Sequence, residues 1–376
     1  MGYDMANKML YVPVIKTGDA ELRGLSNLNE KVKDSIFPII ELTRSRSSKK
    51  AVRGNIYRRI DQLIQSFGNR PFIVDLTSIQ ELINEQIEAL LNSENGYKNW
   101  VDFVYRLQSQ DIKILPTIIV SEDINDSNEL DKRLRVQVEK LAEKFEKVIY
   151  RFPISDLGYK NDLYAIHKTI DFRKNLICVL DSQFISQRKA TVYSEKALAT
   201  IRNLNNLGVS NIVLAATSFP NTSDFDNDFD GKQQDVFSLE EAKFFNLVQK
   251  GLNASDVKLI YGDYASINPI RNDQRGGRGW IPRIDFPTED EVFYIRLRKG
   301  EGEYSEAYSK VAKRLIQDKR YSMIKKRVGT CWGIEQIELA AEGLPPKLSP
   351  SFWISVRMNI HITLRTAILK RSASSD

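Results

Sequence analysis

The chain has 376 residues, 42% of them hydrophobic and 28% charged, which is enough apolar material for a sizeable core and excludes a disordered or low-complexity protein. No run approaches ~18 consecutive apolar residues, and the opening segment lacks the basic region, apolar stretch and cleavage site of a secretory signal, so a soluble, cytoplasmic protein is expected. The net charge of +6 is uneven: residues 264–376 carry 20 Lys and Arg against 13 Asp and Glu, whereas residues 1–263 are close to neutral.

Short runs rich in Ile, Val and Leu recur along the first 270 residues, separated by charged stretches of helical spacing, the alternation of βα units around a parallel sheet. In chain order they are YVPVIK at 11–16, IFPIIEL at 36–42, FIVDL at 72–76, KILPTIIV at 113–120, VIYRFPI at 148–154, LICVLD at 176–181, NIVLAA at 211–216 and KLIYGDY at 258–264. Helices are expected between them, among them 134–145, 193–207 and 239–248, the last behind a Ser238-x-x-Glu241 capping box. Eight such repeats match the roughly 250 residues of a (β/α)8 barrel of the TIM type. The competing architecture, a doubly wound open sheet, finds no GxGxxG after the first strand and no P-loop. Near residue 270 the composition turns, with Gly276, Gly277 and Gly279 set among Arg275 and Arg278. The predicted organisation is a barrel over residues 1–270 with a basic C-terminal α+β domain, residues 271–376, packed on it.

Barrel enzymes carry their chemistry at the carboxyl ends of the strands. Lys16, Glu41, Asp75, Arg151, Asp181 and Asp263 stand at or near those positions. Period-two alternation puts Val12, Val14 and Lys16 on one face, likewise Phe37, Ile39 and Glu41, and Ile177, Val179 and Asp181, so their charges converge at one mouth. Glu41, Asp75, Asp181 and Asp263 are the candidate catalytic acids and bases. Glu41, Asp75 and Asp181 are also candidate oxygen ligands for a divalent cation such as Mg²⁺, the cofactor this set implies. Lys16 and Arg151 are candidate substrate-binding cations, suited to phosphate or a sugar phosphate. Together they point to a metal-dependent phosphodiesterase or nuclease. A plainer account stands beside it: charged residues at strand exits also cap the following helices, as Asp75 and Asp181 are placed to do, or pair with one another at a polar barrel end.

Other candidates carry less. Residues 226–231 have the D-x-D-x-D-G opening of a calcium loop, but its twelfth position is Phe237 rather than Glu, so a solvated acidic loop and candidate lid is read there. His167 falls in an expected helix over 163–172, and His361 has no His or Cys near it in sequence, which argues against a His-rich zinc site. No GxSxG elbow supports serine nucleophile chemistry. Cys178 and Cys331 provide neither a disulfide framework nor a CxxC cluster, while a single bridge stays open. Residues 304–327 form a candidate basic helix carrying Lys313, Arg314, Lys319, Arg320, Lys325, Lys326 and Arg327 with Tyr304, Tyr308 and Tyr321 interleaved, a candidate surface for nucleic acid or a protein partner. Residues 352–364 alternate like a strand, whereas Ser349-Pro350 and the length of the run favour a helix. In either form Arg357, His361 and Arg365 share one face.

Tyr11-Val-Pro-Val-Ile-Lys16, Pro38-Ile-Ile-Glu41, Trp280-Ile-Pro-Arg283, Cys331-Trp332-Gly333, Trp353-Ile-Ser-Val-Arg357 and Asn359-Ile-His361 follow one another in the order of the beta protein family, named for a satellite-bacteriophage protein, which the chain resembles over nearly its full length. The resemblance implies a context rather than a reaction. Genes of that family stand in prophage and satellite elements beside a killer gene and a repressor, in modules that protect the host from other phages. It implies a component of an antiphage, toxin-antitoxin-like module with a protein partner from the same module, and it carries over no active site. Two functions follow as expectations: a barrel mouth that binds or hydrolyses a phosphate-containing ligand, or a non-catalytic immunity or sensor protein that holds a toxin or nucleic acid through its basic domain.

Overall fold

All eight apolar runs form strands, and all eight join one parallel sheet. The computed structural model describes residues 9–45, 54–120, 126–221, 233–252, 257–270, 280–298, 300 and 302–374. Its strands are β1 (Tyr11–Lys16), β2 (Ile39–Leu42), β3 (Phe72–Leu76), β4 (Ile114–Pro116), β5 (Val148–Pro153), β6 (Leu176–Phe184), β7 (Asn211–Thr217), β8 (Gln234–Ser238), β9 (Lys258–Asp263), β10 (Arg283–Pro287) and β11 (Glu291–Arg296). The sheet order is β4-β3-β2-β1-β9-β7-β6-β5. Its two outer strands meet through a parallel Thr117–Ile149 bridge, with the Ile118 N–H 2.7 Å from the Ile149 carbonyl, which nearly closes the sheet into a (β/α)8 barrel.

Strand parity sorts the side chains. Val12, Val14, Ile39, Ile149, Ile177 and Val213 point inward and pack as the barrel interior. Their neighbours of opposite parity, Tyr11, Ile15, Ile40, Val74, Tyr150 and Cys178, face the surrounding helices. The helix Ile56–Phe67 shows why those helices form: Asn55 accepts from the Tyr57 and Arg58 N–H groups at its start, and Gly68 at φ 72° ends it. Between those ends Ile56, Ile60, Leu63 and Phe67 bury one stripe, each contributing ~1.5–3 kcal/mol of apolar burial.

A smaller antiparallel sheet, ordered β10-β11-β8, belongs to the C-terminal part. Strand β8 comes from the segment between barrel strands β7 and β9, so the chain lends part of a barrel loop to the second sheet. Helices Tyr304–Ile316, Lys319–Val328, Trp332–Ala341 and Pro350–Ala373 complete this part around Phe286, Phe293, Val311, Ile334, Val356 and Ile360.

The alternating run 352–364 is helical, begun by Pro350 in the first turn. Its pattern is blurred because both sides are covered: Val356, Ile360 and Leu364 face the small core while Met358 and Ile362 join the barrel core. Helices Ser127–Lys144, Ala190–Asn206 and Glu240–Gly251 stand where they were expected. The Ser238 capping box does not form, since Ser238 ends β8 and the Glu241 carboxylate accepts from Ser218 instead. The helix expected over 163–172 is instead two, Tyr159–His167 and Phe172–Asn175, and His167 is exposed on the first. Cys178 and Cys331 are both free and buried. The 226–231 acidic run and the glycine-arginine segment near 275 lie outside the described residues. No described helix is long and apolar enough to cross a membrane.

Candidate functional site at the barrel mouth

Five of the six expected charges meet at one end of the barrel. Lys16 on β1, Glu41 on β2 and Asp75 on β3 stand side by side, because the register pairs Lys16 with Glu41 and Glu41 with Asp75. Arg151 on β5 reaches across to them, and Asp181 on β6 completes the group. The Arg151 guanidinium has five N–H donors and finds five contacts: Nε and Nη2 to Asp181 at 3.0 and 2.8 Å, Nη1 to Asp75 at 2.7 Å and Glu41 at 3.2 Å, and Nη2 to the Tyr264 hydroxyl at 3.0 Å. Tyr264 donates in turn to Asp181 at 2.6 Å, and the Lys16 ammonium lies 3.4 Å from Glu41.

Burial makes these charges control one another. Burial alone would raise the Glu41 pKa, but Lys16, Arg151 and a hydrogen bond from Thr77 outweigh it and hold the carboxyl below its ordinary range. Asp75 goes the other way: burial, together with the Glu41 charge, outweighs Arg151 and lifts it above the ordinary value. Burial would lower the Arg151 pKa, and Tyr264, Asp181, Asp75 and Glu41 reverse that and carry it well above the ordinary value. The two neighbouring carboxyls are thus shifted in opposite directions, Glu41 down and Asp75 up.

The same contacts test the metal expectation for Glu41, Asp75 and Asp181. All six carboxylate oxygens are engaged: besides the Lys16, Arg151 and Tyr264 contacts, Asp75 accepts the Leu76 N–H at 2.9 Å and Asp181 the Gln183 N–H at 2.8 Å. The oxygens converge on a guanidinium, and among the described residues no group of three or more His, Cys, Asp or Glu is arranged to hold an ion. The residues do not fit a bound divalent cation, since Arg151 already supplies the positive charge they share.

Above this floor is a cavity of about 580 Å³ whose lining includes Lys16, Glu41, Arg151, Tyr264, Ser182 and Lys196. Strand β6 shifts register between Asp181 and Phe184, and Gln183 there adopts φ 51°. The irregularity places Ser182 and Gln183 on the cavity instead of continuing the ladder. Ser182 is 5% exposed, and its hydroxyl has no hydrogen-bond partner. Ala265 and Ser266, just past Tyr264, also hold positive φ, at 51° and 58°. Left-handed backbone thus occurs near the end of β6 and just after β9, and such conformations persist where surrounding structure holds them in place.

Asp263 does not join the mouth. On β9 it has the parity of Tyr261, so it faces the C-terminal helix rather than the interior. There it accepts from Tyr11 at 2.6 Å and Tyr261 at 3.2 Å and pairs with His361 Nε2 at 2.7 Å. Burial works to raise its pKa, but His361, Tyr11 and Arg365 reverse the effect and hold it below the ordinary value. The shared face of Arg357, His361 and Arg365 is thus a buried seam: Arg357 pairs with Asp285 at 2.6 Å, and Arg365 donates to the Glu289 carbonyl at 2.9 Å. Tyr264 is the mouth residue that strand-end reasoning missed; its signal was inward parity with Ile260.

The basic helix candidate is two helices, Tyr304–Ile316 and Lys319–Val328, and its cations are partly spent. Arg320 pairs with Asp318 and Glu291, Lys325 with Glu338, and Arg327 with Glu289, while Arg314 donates to Gln233 at 2.8 Å. Lys313, Lys319 and Lys326 are exposed and have no carboxylate partner among the described residues.

The fold and the mouth define a (β/α)8-barrel protein with a preassembled ionic floor at the carboxyl ends of its strands and an α+β part clamped to the barrel by a buried polar helix. The chain belongs to the Beta protein family, which matches residues 11–365. It is 27% identical over 358 residues to protein beta of Enterobacteria phage P4, covering 94% of this chain and 91% of that protein. Among solved structures it is similar to one described as "C-terminal domain of putative chitinase from Desulfitobacterium hafniense DCB-2", at a TM-score of 0.37 and 12% identity over 93% of this chain and 99% of that one.

Proposed function

We propose that this protein is the ligand-binding component of an antiphage module, and that its barrel mouth binds a phosphate-containing small molecule. Kinship with a phage P4 protein supports the setting. The ligand reading rests on one observation: buried charges from five strands form the floor of an open cavity in which the Ser182 hydroxyl, almost wholly buried, has no protein partner. A network built only to close the barrel has no need of a cavity above it, a register shift or an orphaned hydroxyl. Lys16 and Lys196 supply the positive charge that faces the ligand, and Arg151 holds the floor rigid.

The test is phage plating on cells that carry the intact gene cluster, comparing wild type with Asp75→Asn plus Asp181→Asn after circular dichroism confirms folding. Lost protection from a folded variant is the expected result. Full protection would retire the mouth as the functional site.

A further inference from the structure

We propose that the ligand of the mouth is a nucleoside phosphate with a single phosphate group, its base against the wall formed by Phe184 and Tyr193 and its phosphate at Lys196 and Ser182. This rests on reading the mouth as a phosphate site and adds the class of molecule that the phosphate belongs to. The cavity has two chemistries. Its floor is charged and hydroxylated, whereas its wall includes Phe184, Tyr193 and Ile79 and its rim includes Val192 and Ile270. Val192 and Ile270 are each 60% exposed, so two of the large apolar side chains left open to solvent border this one opening. Ser78, Ser155 and Gln183 also line the cavity and suit a sugar, but a sugar phosphate alone would leave the apolar rim wet. A flat heteroaromatic ring covers it, and base-aromatic contact tolerates any base.

Spacing ties the two chemistries together. Val192, Tyr193 and Lys196 lie on the helix Ala190–Asn206, with Lys196 four residues past Val192 and three past Tyr193, hence on the same side of the helix. A ring resting on Tyr193 therefore places its phosphate one helical turn away, at the ammonium. Charge limits the phosphate count. Lys16 and Arg151 are spent on Glu41, Asp75 and Asp181, whereas Lys196 is exposed and has no carboxylate partner among the described residues. One phosphate monoester or diester matches a single uncommitted ammonium; a triphosphate exceeds it. A cavity of about 580 Å³ lies within the range of small-molecule sites, roughly 300–1,000 Å³.

Calorimetric titration of the full chain with AMP, GMP, CMP, UMP, ribose 5-phosphate, inorganic phosphate and adenosine is the test, repeated with Tyr193→Leu, Tyr193→Ala and Lys196→Gln. The expected result is at least one nucleoside monophosphate binding ~10-fold or more tightly than both ribose 5-phosphate and adenosine. Tyr193→Ala should remove that advantage, Tyr193→Leu should retain part of it, and Lys196→Gln should weaken every phosphate ligand while leaving adenosine unchanged. Ribose 5-phosphate binding as tightly as the best nucleotide would overturn the nucleoside inference and leave the phosphate reading standing. Absence of binding by every phosphorylated probe would overturn both.

Discussion

Replacing Arg151 by Met tests whether the mouth is one coupled electrostatic unit. The substitution keeps the apolar stem and removes five donor contacts at 2.7–3.2 Å, leaving Glu41, Asp75 and Asp181 buried without their shared cation. At an effective dielectric near 20, each close charge pair is worth ~4 kcal/mol before desolvation. The guanidinium no longer has to be desolvated, which offsets part of the lost attraction, so the net loss expected is about 3–5 kcal/mol at pH 8. In the variant burial and the Glu41 charge, which already lift the Asp75 pKa, act without the opposing Arg151. The folded state then binds more protons than the unfolded one, and stability is retained below the unfolded carboxyl range and lost as pH rises through the folded values. Urea denaturation followed by circular dichroism at pH 5 and pH 8 should therefore show the smaller loss at pH 5. A loss under ~1 kcal/mol, or one equal at both pH values, would refute the reasoning.

Three further outcomes follow from the geometry. Asp263→Asn should cost about 3 kcal/mol near neutral pH, because the amide oxygen can accept on one side only and the NH2 group must then face either Tyr11 or His361, yet leave mouth affinity unchanged. Asp263 has a depressed pKa in the fold, so its contribution is present above the unfolded carboxyl value and lost as pH falls through the folded one; denaturation curves of variant and wild type should converge in acid. Gly333→Ala would put a Cβ 2.6 Å from Ile360 Cγ1 and 2.7 Å from the Val356 carbonyl, and a melt should register ~1–3 kcal/mol of overpacking, with an unchanged midpoint contradicting the close helix approach. For nucleic acid, Lys313, Lys319 and Lys326 are the members of the candidate basic set that are exposed and have no carboxylate partner among the described residues, so replacing all three by Ala should make the slope of log affinity against log salt shallower by about 3. An unchanged slope would contradict phosphate contact at these lysines.

The barrel was legible because each strand is a short apolar run whose alternate side chains both need burial, inward to the barrel and outward to the helices. The mouth was legible for the same reason at Lys16, Glu41 and Asp181, where parity had been followed to the end of the strand. At Asp263 position alone was used, and parity, which aligns it with Tyr261 and not with Ile260, sends it to the opposite face. Ser182 and Gln183 depend on a register shift that only the neighbouring strand β7 defines. Strand β8 is five residues of half-exposed, alternating character whose partner lies more than fifty residues on, so no local signal marked it. The C-terminal helix resisted reading because a segment packed on two cores has no polar face to set its period, and its polar stripe is itself buried. What the three carboxylates face is a point no sequence shows: a single guanidinium occupies the centre towards which they turn.

The most direct test of the central claim is a crystal structure of the full chain grown with a phosphorylated ligand, AMP first and ribose 5-phosphate second, in the presence of Mg²⁺. The account predicts phosphate density within hydrogen-bond distance of Ser182 Oγ and Lys196 Nζ, with Arg151 still bound to Glu41, Asp75 and Asp181. A magnesium ion among those three carboxylates with Arg151 displaced, or a phosphate seated elsewhere while the mouth holds only solvent, would contradict it.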